Sequence, residues 1–130
     1  MIHLTVVTPE RKVVDRQVEE VVLPGSEGYL GVLPGHAPLL TALKVGEISY
    51  RQAAQWHFIA VAWGFVEVLG DRVSVLADVA ERAEEIDLER AKQARTQAEE
   101  HLRKGADIDW ERARVSLEKA IIRIQVAQKA

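Results

Sequence analysis

The strongest constraint on this 130-residue chain is a change of pattern near residue 80. Residues 1–80 hold all four prolines and seven of the eight glycines, with six Lys/Arg and nine Asp/Glu; residues 81–130 hold eleven charges of each sign. The first part breaks into short β-branched runs separated by turn residues, which is how strands read. The second is densely charged yet neutral, with Ala and Leu between the charges, as in a solvated helix carrying one apolar stripe. We therefore expect an α+β chain: a β-sandwich of two sheets over 1–80, then a two-helix antiparallel hairpin over 81–130.

Nine strands are predicted: Ile2–Val7, Val13-Val14, Val18–Leu23, Tyr29–Leu33, Ala37–Leu43, Ile48–Tyr50, Trp56–Trp63, Phe65–Leu69 and Val73–Ala77. Pro24-Gly25, Pro34-Gly35, Gly46, Gly64 and Gly70-Asp71 mark expected reversals, the last short enough for a hairpin. Trp56–Trp63 is apolar at nearly every position, so both its faces should be covered, whereas the charges in Val18-Glu19-Glu20-Val21-Val22 suit an edge. Beyond Glu81, Ala91, Ala94, Ala98 and Leu102 follow a helical spacing. Trp110, Ala113, Leu117, Ala120-Ile121, Ile124 and Ala127 form a second stripe after Lys104-Gly105-Ala106. An alanine stripe buries little area at about 25 cal/mol per Å², so such a hairpin is weakly held and able to open.

Composition narrows the function. There is no cysteine, which removes disulfides, thiolate metal sites and Cys nucleophiles. The longest apolar run, Phe58–Val66, is far short of the roughly 20 residues of a membrane helix. The start, Met1 to Val6, lacks the features of a signal peptide, so a cytoplasmic location without membrane insertion is expected. A net charge of −3 gives no basic excess for nucleic acid. His3, His36, His57 and His101 show no metal-ligand spacing, and no Ser, His and carboxylate fall in a context that implies catalysis. His36, after Pro34-Gly35, suits either surface recognition or a hydrogen bond within the turn. The Gly-rich segment 24–31 has no following Lys-Ser/Thr and leads into a strand, so it lacks the helix N-terminus of a phosphate cradle. The chain reads as a binding module.

One motif occurs twice: Ile86-Asp87-Leu88-Glu89-Arg90-Ala91 returns as Ile108-Asp109-Trp110-Glu111-Arg112-Ala113. Each Asp is placed to cap a helix, with the preceding Ile able to staple onto the Ala. An arginine at the third helical position is unexpected, because a cation there faces the positive end of the dipole. Arg90 and Arg95 lie near Asp87, and an antiparallel second helix brings Lys119 or Arg123 alongside. Such a group suits either a polyphosphate with a purine or exposed ion pairs worth about 0–1 kcal/mol.

The segment Gly25–Thr41, GSEGYLGVLPGHAPLLT, together with Trp63–Val68, Val73–Asp78 and the repeated Ile-Asp-x-x-Arg-Ala start, strongly resembles the epsilon subunit of bacterial and chloroplast F-type ATP synthases over the whole chain. The resemblance implies a non-catalytic central-stalk subunit on the cytoplasmic face of the bacterial membrane, coupling proton flow to rotation. Gly28, Tyr29, Leu30, Gly31, Leu33 and His36 would dock on the gamma subunit and the c-ring, with Tyr29 where many relatives carry an acid. The hairpin would be a switch: folded it permits rotation, extended it meets the catalytic alpha and beta subunits through Arg112, Arg114, Lys119 and Arg123 and blocks ATP hydrolysis. Glu81, Ile86, Asp87, Arg90, Ala91 and Arg123 match the family's ATP site, while Gln97 and Lys119 stand where strong binders carry arginine. ATP would then be a regulatory ligand, with no cofactor required. A free-standing soluble ATP sensor on the same fold is the alternative.

Overall fold

A computed structural model describes residues 1–105 and 110–130. The strands are β1 (Ile2–Val7), β2 (Lys12–Val18), β3 (Glu20–Gly25), β4 (Gly28–Val32), β5 (Leu39–Leu43), β6 (Gly46–Gln52), β7 (Gln55–Leu69) and β8 (Arg72–Arg82). A 3-10 turn at Ala83–Glu85 leads to helices α1 (Leu88–Arg103) and α2 (Trp110–Ala127).

The strands form one hydrogen-bonded network in the order β2-β1-β8-β7-β5-β3-β4, with β6 pairing both β3 and β7. It closes over a core that includes Ile2, Leu4 and Val6 of β1, Leu23 of β3, Ile48 of β6 and Val66 and Val68 of β7. All pairs are antiparallel except β1 with β8. Along β1 the alternation is regular, Ile2, Leu4 and Val6 pointing in, because an extended chain sends successive side chains to opposite faces.

Two expected strands, Trp56–Trp63 and Phe65–Leu69, are one, so eight are found among the described residues. Gly64 does not reverse the chain; it bends it. The β7–β8 register never slips, yet the inward parity of β7 changes from Ile59 and Val61 to Val66 and Val68, and that of β8 from Val73, Val75 and Ala77 to Ala80. The change falls at the unpaired position of Trp63 and Asp78. There Trp63 has φ 51° and Gly64 φ 139°, and any β-carbon on Gly64 would overlap the Leu76 carbonyl. β5 pairs with the second half of β7 and β6 with the first, so one bent strand serves both layers of the sandwich.

Other expectations change as well. Val18–Leu23 is interrupted at Glu19, and β3 lies inside the network rather than at an edge. Glu19, just before β3, and Glu20 within it are matched by Arg51, whose NH1 donates to Glu19 at 3.0 Å and NH2 to Glu20 at 3.4 Å. Gly46 begins β6, and the reversal after Pro24-Gly25 is made by Ser26-Glu27. The Gly70-Asp71 hairpin forms as expected. The last strand continues to Arg82, two residues beyond the anticipated change at 80.

The expectation that both faces of Trp56–Trp63 are covered holds for Ile59–Ala62, all buried. Ile59 and Val61 face the core; Ala60 faces a second cluster with Ala83, Ile86 and Val126, against which Phe58 and Ile122 pack. Thus α2 has two apolar faces. Ala113, Ala120 and Ile124 belong to the expected stripe, but Ile121 is exposed, and Ile122 and Val126 form a second stripe toward the sheet. In α1 only Ala91 and Ala98 are buried.

Candidate functional site

Asp87 is the N-cap of α1 and accepts from the Arg90 amide at 3.2 Å. That satisfies one orphan donor of the first turn, as the motif predicts. Ile86 and Ala91 are both buried at this junction. In the second copy Ile108 and Asp109 lie outside the described residues, and α2 starts at Trp110.

The Arg90 side chain lines a cleft of about 430 Å³ with Gln93, Ala94, Gln97 and Arg123. Antiparallel packing therefore brings the first-turn arginine of α1 to a basic residue near the end of α2. Arg123 is also held by Glu81 of β8: Nε donates to Oε1 at 2.8 Å and NH2 to Oε2 at 3.2 Å. This fork-to-fork bond, about three-quarters shielded from solvent, ties α2 to the sandwich. Glu81 and Arg123 also line a neighbouring, largely apolar cavity of about 190 Å³ with Ala60, Ala62, Val79 and Lys119. Of the six residues matched to a nucleotide site, Arg90 and Arg123 line the cleft; Asp87 caps, Ile86 and Ala91 are packed, and Glu81 orients Arg123.

Further contacts hold α2 down. The Lys119 ammonium lies 4.5 Å from the centroid of the Trp63 ring, and Lys129 lies over Phe58 while donating to Glu47 at 2.8 and 3.0 Å. Arg114 pairs within α2 with Glu111 and Glu118, and Arg112 lines a cleft toward the far end of the hairpin. Of the four basic residues expected to meet catalytic subunits, Lys119 and Arg123 are therefore engaged with the sandwich.

The base of the hairpin is clamped from the other side. Glu85 of the 3-10 turn accepts from Arg11 NH1 at 2.7 Å, from Arg82 Nε at 3.1 Å and from the Arg82 amide at 3.0 Å. The Arg11 and Arg82 guanidiniums hold the Glu85 carboxyl down at about 2, against an ordinary 4.5.

The expected docking residues occupy one end of the sheet. β4 is the terminal strand, with Gly28, Tyr29 and Gly31 exposed and Leu30 half-buried. Leu33 to His36 is a turn closed by the His36 amide donating to the Leu33 carbonyl at 3.2 Å, and Leu33 is exposed. The His36 Nδ1 lies 2.6 Å from the Ala37 carbonyl, the local bond anticipated as one alternative. Tyr29 bonds within the molecule: its hydroxyl accepts from the Glu47 amide at 3.0 Å and lies where a β-carbon on Gly46 would meet it at 2.6 Å. Sequence reasoning missed an adjoining face. Leu40, Phe65 and Leu76 point outward on three neighbouring strands, Phe65 directly opposite Leu76, and each is more than half exposed. Large apolar side chains exposed together on one sheet face make it a candidate interaction surface. The signal was present in the odd-numbered apolar residues of Phe65–Leu69, hidden because the strand's inward parity changes at the bend.

Among the described residues no group of three or more His, Cys, Asp or Glu is placed to hold a metal ion, and no helix is long and apolar enough to cross a membrane. His3 pairs with Asp15 and His57 stacks on Tyr50 with ring centroids 5.1 Å apart, so both are structural.

Comparison with known proteins covers both parts. Residues 1–83 match the family described as ATP synthase, Delta/Epsilon chain, beta-sandwich domain, and residues 84–128 its long alpha-helix domain. The ATP synthase epsilon chain of Desulforamulus reducens is 51% identical over 127 residues, covering 97% of this chain and 96% of that one. That of Geobacter sulfurreducens is 47% identical, covering 99% and 95%. A chain in the cryo-EM structure of Euglena gracilis mitochondrial ATP synthase, described as OSCP/F1/c-ring, shares the fold with a TM-score of 0.85 at 22% identity, over 98% of this chain and 81% of that one. On the full-length match of both parts, the chain belongs to the ATP synthase delta/epsilon chain family.

Proposed function

We propose that the chain is the non-catalytic central-stalk subunit of a proton-translocating ATP synthase, a coupling part whose hairpin restrains ATP hydrolysis when it extends. The observation that carries the regulatory half is the unequal attachment of the two helices. α1 touches α2 but packs little against the sandwich, and α2 is held by a small apolar cluster, the Glu81–Arg123 and Glu47–Lys129 pairs and the Lys119–Trp63 contact. Few contacts mean folded and extended forms differing by only a few kcal/mol, as a switch requires. Extension frees Lys119 and Arg123 to join Arg112 and Arg114 in meeting acidic surfaces of the alpha and beta subunits.

ATP is the ligand this reading assigns to the Arg90–Arg123 cleft. A ligand that bridges the two helices stabilises the folded hairpin by RT ln(1 + [L]/Kd), so cellular ATP level sets the position of the switch. The sandwich does the docking: the apolar face at Leu40, Phe65 and Leu76 suits the gamma subunit, and the Gly28–His36 end suits the c-ring. On this reading the chain sits at the cytoplasmic face of the membrane without insertion.

Reconstitution of an epsilon-depleted synthase tests the proposal. The full chain is expected to lower ATP hydrolysis relative to a copy ending at Glu85, and equal rates would refute inhibition. Calorimetric titration of ATP into the parent and into Asp87→Ala/Arg90→Ala should give binding by the parent alone. Retention of a gamma subunit in a pull-down separates the rotor reading from a free-standing sensor, which would not retain it.

A further inference from the structure

The cleft at Arg90 and Arg123 does not end there. A second cleft of about 350 Å³ is lined by Ala94, Gln97, Ala98, His101, Arg112, Ala113 and Ser116. It shares Ala94 and Gln97 with the first, so the two form one groove between the helices. The spacing is matched on both sides: Arg90 to His101 on α1 and Arg112 to Arg123 on α2 are each eleven residues, or about 16 Å along a helix. Antiparallel packing sets Arg90 with Arg123 at one end and His101 with Arg112 at the other.

The groove also segregates charge. The hairpin region 81–130 carries eleven acids, yet among the described residues lining the two clefts there is no carboxylate. Its polar lining is Arg, Gln, His and Ser, all able to donate. A third cleft, which also meets the first at Gln93 and Gln97, runs over the outer face of α1 and not between the helices. There the ordinary mixture returns, with Glu89, Lys92 and Glu100. Small side chains at Ala94, Ala98 and Ala113 leave space between the donors. A donor-lined groove with a guanidinium at each end, that of Arg123 oriented from the sandwich side by Glu81, fits an extended polyanion whose charge is spread along its length.

We propose that this groove binds a linear polyphosphate chain longer than that of a nucleoside triphosphate, running from the Arg90–Arg123 end to the Arg112–His101 end. The inference rests on the nucleotide reading of the first cleft and extends it to a second compartment. Such a ligand crosses both helices at two separated points and fastens the hairpin in its folded form more firmly than a ligand held at one end. The phosphate chain has two sources, inorganic polyphosphate or a dinucleoside polyphosphate.

Calorimetric titration of the full chain with ATP, inorganic tripolyphosphate, diadenosine pentaphosphate and a longer linear inorganic polyphosphate tests this. The longer chains are expected to bind at least about tenfold more tightly than ATP, and in Arg112→Gln that advantage should fall to near unity. Preference for the diadenosine compound identifies the dinucleoside source, and equal affinity for the bare chain identifies inorganic polyphosphate. ATP binding that depends on Arg90 with no gain for longer chains would overturn the inference and leave the nucleotide reading standing. Failure of every ligand to bind would overturn both. A loss in Lys92→Gln, outside the groove, as large as that in Arg112→Gln would reduce the effect to general charge attraction and overturn the inference too.

Discussion

The sandwich and the hairpin are held together by different means. In the sandwich the fully buried side chains are Ile, Leu and Val, including Ile2, Leu4, Leu23, Leu43, Ile48 and Ile59. Each contributes about 1.5–3 kcal/mol by leaving water. In the hairpin the buried residues are mainly alanines, Ala91 and Ala98 against Ala113 and Ala120, with Ile124 and Val126 the larger exceptions. Charged contacts to the sandwich supply what apolar area does not. Local opening begins where buried apolar contacts are fewest, so the hairpin is expected to open before the sandwich does.

The largest test of that contrast is in the core. Leu4→Ala is expected to cost about 2–5 kcal/mol in chemical denaturation, and Gly64→Ala should do comparable damage because its β-carbon has no room beside the Leu76 carbonyl. No substitution of an alanine in the hairpin by glycine should approach this. Next comes the tether: Arg123→Met is expected to weaken tail docking by about 1 kcal/mol, as removal of a partly shielded charge pair does. It should raise hydrogen exchange in α2 while leaving the β1 and β8 amides protected. If both regions exchange faster together, the two are one cooperative unit and the contrast fails.

Acid should separate the regions further. The folded Glu85 carboxyl titrates at about 2, below its ordinary 4.5. Its contribution is therefore full above pH 4.5 and disappears as pH falls from there toward 2. In Arg11→Met the folded value rises back toward 4.5, so the acid-induced loss of stability across that window should shrink in a pH series of melting curves. The smallest effect is at the β6–β7 turn, where Ala53 and Ala54 both have positive φ, 52° and 65°. Ala53→Asn with Ala54→Gly places there the pair such a two-residue turn prefers and should stabilise by about 0.5–1 kcal/mol. That gain should appear in the sandwich transition and leave α2 exchange unchanged.

Local chemistry made much of this legible. The helix start at Asp87, the Gly70-Asp71 hairpin and the change from strand to helix follow from short-range rules of capping, turn geometry and periodicity. The joining of two strands through Gly64 was hidden because a glycine that bends a strand and one that ends it look alike in sequence. The second face of α2 was hidden because Ile122 and Val126 read as interruptions of the stripe through Ala120 and Ile124 until a sheet lies against them.

The sequence by itself determined where elements begin, which motif caps a helix, and that the tail would be thinly packed, since these depend on neighbours a few residues apart. Only tertiary structure decided that Glu81 meets Arg123 across 42 positions and that Glu85 is held from Arg11 across 74. It also decided that Arg123 and not Lys119 shares a cleft with Arg90, and that Leu40, Phe65 and Leu76 share an exposed face. Those outcomes depend on the bend in β7 and on the packing of α2 over Ala60, and so on distances through space that spacing along a chain does not encode.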